Sequence, residues 1–224
     1  MMLRVAGELS RNFRGYRSGA LFWAAIVLTV PSARAQQPVP FTVVLNPGQT
    51  SIHWTLNTTL HTVHGTFKLN NGSFHVDTAT GDVTGAIVID ATSGESGDSA
   101  RDRRMHGAVL ESERYPEITY RPAHVSGRID LASGSDVTVD GTFRLHGADH
   151  ALQLIVHLRP DGTAAKLSTR FSIPFVAWGL KDPSTFVFRT DKQVTVDVDA
   201  TFTPAPDRSA ARPVLHPGEV HTAQ

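Results

Sequence analysis

The stretch VTVDGTFRLHGADHALQLIVHLRPDG, residues 137–162, decides the fold. Val137, Val139, Gly141, Phe143 and Leu145 alternate with polar residues. Gly147-Ala148-Asp149 reads as a turn, after which Leu152, Leu154, Val156 and Leu158 resume the alternation. Pro160-Asp161-Gly162 then turns the chain again. A period of two puts successive side chains on opposite faces of a strand. The stretch therefore predicts a hairpin whose strands each have one apolar and one wet face.

The pattern continues in both directions. Upstream, Ile52, Trp54 and Leu56 alternate, then Val63, Gly65, Phe67 and Leu69. Asn70-Asn71-Gly72 carries the Asn-Gly pair, the strongest short hairpin signal, and predicts a turn before Phe74 and Val76. Thr80-Gly81-Asp82 predicts another, before Val83, Gly85, Ile87 and Ile89. Downstream come Ala165, Leu167, Thr169, Phe171 and Ile173, and finally Val194, Val196, Val198 and Ala200. About eight to ten short strands with turns between them imply an all-β barrel or sandwich. Short sequential connections suit a meander, and closure removes exposed edges, so the barrel is favoured.

One segment has a different period. Ser99-Ala100-Arg101-Asp102 has the form of a capping box, with Ser99 as N-cap. Met105, Ala108 and Val109 recur at helical spacing, and Tyr115-Pro116 is a stop. A short helix over residues 100–111 is predicted, inserted where it can cover one end of a barrel. There is also a weak internal echo between Gly65-Thr66-Phe67-Lys68-Leu69 and Gly141-Thr142-Phe143-Arg144-Leu145, as expected if both open similar hairpins.

The N-terminus has the order of a secretory signal peptide. Arg4, Arg11, Arg14 and Arg17 form a basic region, Ala20 to Val30 an apolar run, and Ala33-Arg34-Ala35 an A-x-A cleavage site. The apolar run is too short to cross a bilayer core of roughly 30 Å. Residues 1–35 are expected to be removed, giving a mature start at Gln36 and a periplasmic or secreted location. Residues 36–40 are a leader, 41–203 the domain, and 204–224 a disordered tail rich in Pro and Ala. The whole chain has 21 basic and 21 acidic residues. The leading segment holds five Arg and one Glu, which leaves 16 basic and 20 acidic residues, a net charge of −4. A mildly acidic domain without a basic run is a poor match for nucleic acid or an anionic membrane. There is no cysteine, so packing alone stabilises an exported domain, and thiol chemistry and Cys-based zinc sites are excluded.

Catalytic signatures are absent. There is no G-x-S-x-G, no P-loop and no H-E-x-x-H, and no carboxylate pair has a spacing that argues for acid–base work. A binding protein rather than an enzyme is expected, with no cofactor required. His61 and His64 lie three apart on a strand and face opposite sides. His146 and His150 flank a turn, and with His106 they offer a weak alternative as a transition-metal site. The other reading is that these rings bond turn backbone or lie on the wet face. Arg101 suits either a carboxylate partner or a polar head group, and Asp102 a helix cap. Trp54, Phe67, Phe143, Phe171, Phe175 and Trp178 are apolar-face aromatics, joined on their faces by Ile87 and Leu154. In an eight-stranded barrel such residues either fill the interior or line a cavity for one small ligand.

Three motifs carry a family resemblance. Arg101-Asp102-Arg103-Arg104-Met105-His106, followed by Glu113-Arg114-Tyr115-Pro116-Glu117-Ile118-Thr119-Tyr120, resembles the RD…(L/M)…YP-x-I-x-(F/Y) signature of the YceI-like family. His61-Thr62-Val63-His64-Gly65-Thr66-Phe67 is similar to its H-x-V-x-G-x-F strand. Val139 to Gly147 resembles its V-x-G-x-L-x-(I/L)-x-G hairpin. The similarity spans about residues 41–203. It implies a lipocalin-like, extended antiparallel β-barrel that binds a polyisoprenoid or an isoprenoid quinone. It also implies that Val63, Phe67, Phe143, Leu145 and Trp178 line the barrel, and that Arg101, Asp102 and His106 lie near the helix. The chain departs from the family at Phe175-Val176-Ala177-Trp178-Gly179, which lacks the charge many relatives carry there. The expected partners are an apolar lipid and, as a dimer, a second copy of the chain. A barrel with a filled interior and a structural role is the remaining alternative.

Overall fold

A computed structural model describes residues 40–185 and 189–206. The predicted signal segment and mature start lie outside these residues, as does most of the predicted tail. The strands are β1 Phe41–Leu45, β2 Thr50–Asn57, β3 Thr62–Val76, β4 Val83–Glu95 and β5 Glu117–Ser126. They continue as β6 Ser135–Leu145, β7 Ala148–Asp161, β8 Ala164–Ile173, β9 Val194–Phe202 and β10 Ala205–Pro206. All pairings are antiparallel. Eight strands run in the order β3-β2-β9-β8-β7-β6-β5-β4, and β4 pairs back onto β3 to close the barrel. β1 and β10 are additions outside this ring; β10 lies in the segment expected to begin the tail.

The hairpin of residues 137–162 forms as its alternation requires. Its turn is shorter than expected and one residue earlier. Leu145 pairs with Ala148, and His146 (φ 51°) and Gly147 (φ 78°) are both left-handed. That is the arrangement of a two-residue I′ turn, whose twist matches the strands. Thr80-Gly81-Asp82 turns as expected, with Gly81 at φ 82°.

Asn70-Asn71-Gly72 does not turn. β3 passes straight through it for 15 residues. β2 pairs with its first part, from Thr62 to Phe67, and β1 with its second, from Gly72 to Val76. Against β4 the register slips between Leu69 and Asn71. A bulge inserts one residue and so reverses which face each side chain takes. Val63 and Leu69 are buried before it, Gly72 and Val76 after it. The change of parity that suggested a turn is real, but long-range partners on both sides outweigh the local hairpin preference.

The helical insertion also differs in detail. The α-helix, α1, covers Ser99–Arg104, and its N-cap is Asp98 rather than Ser99. The Asp98 carboxylate accepts from the backbone N–H of Ala100 at 2.9 Å and of Arg101 at 3.0 Å. These bonds, Arg101 foremost, hold its carboxyl below the usual value. The predicted single helix to residue 111 instead widens into a π-helical turn, Met105–Leu110, and ends at Glu111 in the left-handed region (φ 46°). Such turns recur at functional sites.

The echo has a physical basis. Gly65 and Gly141 each sit under an aromatic ring from a neighbouring strand. A Cβ on Gly65 would lie 2.2 Å from Trp54 Cζ2, and one on Gly141 2.8 Å from Tyr120 Cζ. Each glycine lets a ring lie across the barrel wall, two residues before an inward phenylalanine, Phe67 or Phe143.

Candidate functional site

The barrel interior is not filled. Two cavities occupy it, of about 540 Å³ and about 120 Å³. Ile52, Ile89, Phe143, Phe171 and Val198 line both, so they form a waist between two lobes. The smaller lobe lies towards β1 and the β5–β6 connection, among Phe41, Val76, Ile129 and Leu131. The larger lobe opens towards α1, and its volume lies in the range of about 300–1,000 Å³ typical of ligand pockets.

The lobes differ chemically. The small lobe is walled almost entirely by hydrocarbon. Its polar side chains are Thr50, Thr169 and Tyr120. The Tyr120 hydroxyl donates to the Val139 carbonyl at 3.1 Å, and burial, with Asp140 nearby, pushes its phenol well above the ordinary value. The large lobe has apolar walls and a polar mouth. Asp98, Arg101, Arg104, Thr58 and Thr190 are at that end. Met105, Val109 and Leu110, all from the π-helical turn, cover part of it. Gly94 gives them room, since a Cβ there would lie 2.5 Å from Phe67 Cε1 and 2.9 Å from Met105 Cε.

Most of the expected lining residues are in these walls. Trp54, Val63, Phe67, Leu145 and Phe175 line the large lobe, Ile87 and Leu154 the small one, and Phe143 and Phe171 both. Trp178 lines neither. Residues 174–180 form a compact turn, with Trp178 N–H bonded to the Pro174 carbonyl and Leu180 N–H to that of Phe175. Phe175 and Leu180 point inward, while Trp178 stacks on His150, centroids 4.1 Å apart and planes 3° from parallel.

The polar candidates divide. Arg101 stands at the mouth, with its Nε donating to Ser96 Oγ at 2.7 Å and an Nη to the Ser96 carbonyl at 2.9 Å. Asp102 neither caps the helix nor lines the cavity; its carboxylate accepts from Ser96 Oγ. The Arg-Asp pair therefore clamps one serine and fastens α1 to the end of β4. His106 is likewise structural. Its Nε2 donates to the Gly94 carbonyl at 2.8 Å, which leaves Nδ1 to accept from Ser112 Oγ at 3.0 Å.

His146 and His150 contact different neighbours. His150 stacks on Trp178, and His146 packs on Tyr115, with Glu111 3.5 Å from its Nε2. The short turn sends the rings to different neighbours. Among the described residues no three His, Cys, Asp or Glu side chains converge as metal ligands would.

A model of the YceI-like domain matches residues 44–202. The chain belongs to the YceI-like family. Solved structures of similar fold include BcnA of Burkholderia cenocepacia, 13% identical, with a TM-score of 0.58 over 70% of this chain and 98% of that one. Another is a polyisoprenoid-binding domain from Saccharophagus degradans implicated in plant cell wall breakdown. It is 21% identical, with a TM-score of 0.55 over 74% of this chain and 98% of that one. No curated protein matches the chain. Within this YceI-like barrel, sequence reasoning missed two groups. Ile52, Ile89 and Val198 of the waist were on recognised strands, but nothing local marks which layer a strand residue occupies. Arg104 stands in the quoted motif, but nothing in the sequence marked it as a mouth residue; it lines the large lobe, and its Nη2 donates to the Pro183 carbonyl at 3.0 Å.

Proposed function

We propose that this protein binds a long apolar isoprenoid lipid, a polyprenyl chain or an isoprenoid quinone, inside its barrel. The observation that carries this reading is the two-lobed cavity, whose walls are apolar apart from Thr50, Thr169 and Tyr120 in the small lobe and the polar groups at the α1 mouth. A chain with one polar end matches that gradient. Its tail would pass the waist and its head would meet Arg101 and Arg104. The similar fold of the polyisoprenoid-binding domain from Saccharophagus degradans supports the same reading. Binding needs no catalytic group, so a role other than an enzyme's fits. A signal-like N-terminus supports a periplasmic or secreted site of action.

The energetics are favourable. Each buried CH₂ contributes about 0.8 kcal/mol, so one isoprene unit contributes up to about 4 kcal/mol. Immobilising the ligand costs about 4–15 kcal/mol. A few buried units therefore suffice for tight binding. Mass spectrometry of an organic extract of the purified protein tests the reading. An isoprenoid in the extract, or stoichiometric uptake of added farnesol, is expected; neither lipid nor uptake would refute it.

A further inference from the structure

We propose that the rim of the large lobe is a docking surface for an anionic phospholipid bilayer, so that the mouth of the cavity faces the membrane. This rests on the lipid-binding reading, for which the mouth is the route of entry. Net charge alone predicts the opposite, because the mature chain is acidic. The fold, however, sorts its charges.

The rim is one connected structure built from segments that are distant in the chain. Arg104 of α1 donates to the Pro183 carbonyl. Ser184 Oγ lies 3.1 Å from Thr190 Oγ1 and accepts from the Thr190 N–H. Thr190 bridges to Thr58, and Thr59 N–H donates to the Arg189 carbonyl at 3.0 Å. Residues 57–61, 98–104, 181–185 and 189–192 are thus linked at the opening, where Thr58, Arg104, Pro183 and Thr190 line the cavity.

Within these segments the exposed cations are Arg103, Arg104, Lys181, Arg189 and Lys192. Asp102 and Asp182 are half-buried, Asp102 against Ser96 Oγ and Asp182 beside Lys192, and the exposed acids are Asp98 and Asp191 alone. Both are engaged locally, Asp98 as the helix cap and Asp191 by Asn57 Nδ2 at 3.2 Å. Leu60 projects from the same rim and is 67% exposed, more than any other large hydrophobic among the described residues. Cations around an apolar tip are what an anionic leaflet retains, the cations against head groups and the tip among the upper acyl carbons. Such contact would also spare a lipid the passage through water between bilayer and cavity.

Sedimentation with vesicles tests this. The probes are vesicles of equimolar phosphatidylglycerol and phosphatidylcholine, and vesicles of phosphatidylcholine alone. We expect binding to the anionic vesicles in about 0.05 M salt and its loss in about 0.5 M salt, where screening is short-ranged. Each rim cation is worth about fivefold in partitioning, so the combined R103E, K181E and R189E changes are expected to weaken binding by at least about 100-fold. Leu60→Asp is expected to cost roughly tenfold. Arg128→Glu, in the β5–β6 connection at the other end of the barrel, is expected to leave vesicle binding unchanged. Equal binding to both vesicle types, or no loss in the rim variants, would overturn the proposal. Farnesol retention by the same variants, read by mass spectrometry, tests the cavity separately. A protein that retains farnesol but ignores anionic vesicles has the cavity and lacks the docking surface.

Discussion

At the scale of single residues, glycine positions are the sharpest test of the barrel wall. Gly65 is confined between the Trp54 ring and the Glu95 carbonyl, each 2.2 Å from where a Cβ would stand. Gly65→Ala is expected to destabilise the protein by about 1–3 kcal/mol, as overpacking does, and urea unfolding measures it. Gly107, in the π-helical turn, has nothing within 4 Å of its Cβ position and no left-handed backbone. Gly107→Ala is therefore expected to stabilise by about 0.5–1 kcal/mol. Opposite signs at these two glycines would support the packing described; a shared sign would contradict it. The sequence showed both glycines but not their surroundings, because the ring above Gly65 comes from another strand. Asp98 and Ser99 were similarly indistinguishable as caps, since both types cap well and only backbone geometry chooses between them.

At the scale of elements, alternation was legible almost everywhere. Phe143 is 4% exposed and points into the barrel, while its neighbour Thr142 is on the other face. Phe143→Asp should abolish lipid uptake or folding, and Thr142→Asp should be tolerated. Equal damage in a farnesol-uptake assay would show the face assignment to be wrong. β3 marks the limit of such reading. Its Asn-Gly pair favours a turn locally, but β1, β2 and β4 together offer it a full ladder of partners. The helical insertion has the same lesson. The spacing of Met105, Ala108 and Val109 announces a helix, but not its widening to a π-turn, whose Met105, Val109 and Leu110 line the large lobe.

At the scale of the whole molecule, the waist and the surface charges make separate predictions. Val198 lines both lobes, so Val198→Phe should block the passage between them. The variant is expected to keep farnesol and lose a long prenol such as solanesol, as read by native mass spectrometry; unchanged uptake of both would show that the lobes are not used in series. Three surface carboxylates contribute to the acid limit. Asp98, Asp130 and Asp136 are each held below the ordinary carboxylate value, Asp98 by the Arg101 and Ala100 amides, Asp130 by Ser133, and Asp136 by His157 and then Arg159. The unfolded chain binds protons on these groups more tightly than the native one. Their stabilisation is thus complete above about pH 5 and is lost as pH falls through the depressed native values. Urea midpoints should be insensitive to these groups between about pH 5 and pH 8 and should drop below about pH 4. A midpoint unchanged down to about pH 3 would be inconsistent with these bonds.

Sequence alone determined the all-β class, the inward faces, the site of the helical insertion and the family, because each follows from a local period or a short motif. Tertiary structure alone decided that the interior is hollow, that its two cavities meet at Ile52, Ile89 and Val198, and that scattered cations gather around one opening. The physical reason is separation along the chain. Whether inward side chains meet or leave a gap depends on strand register and barrel diameter, which are set by partners far away in sequence.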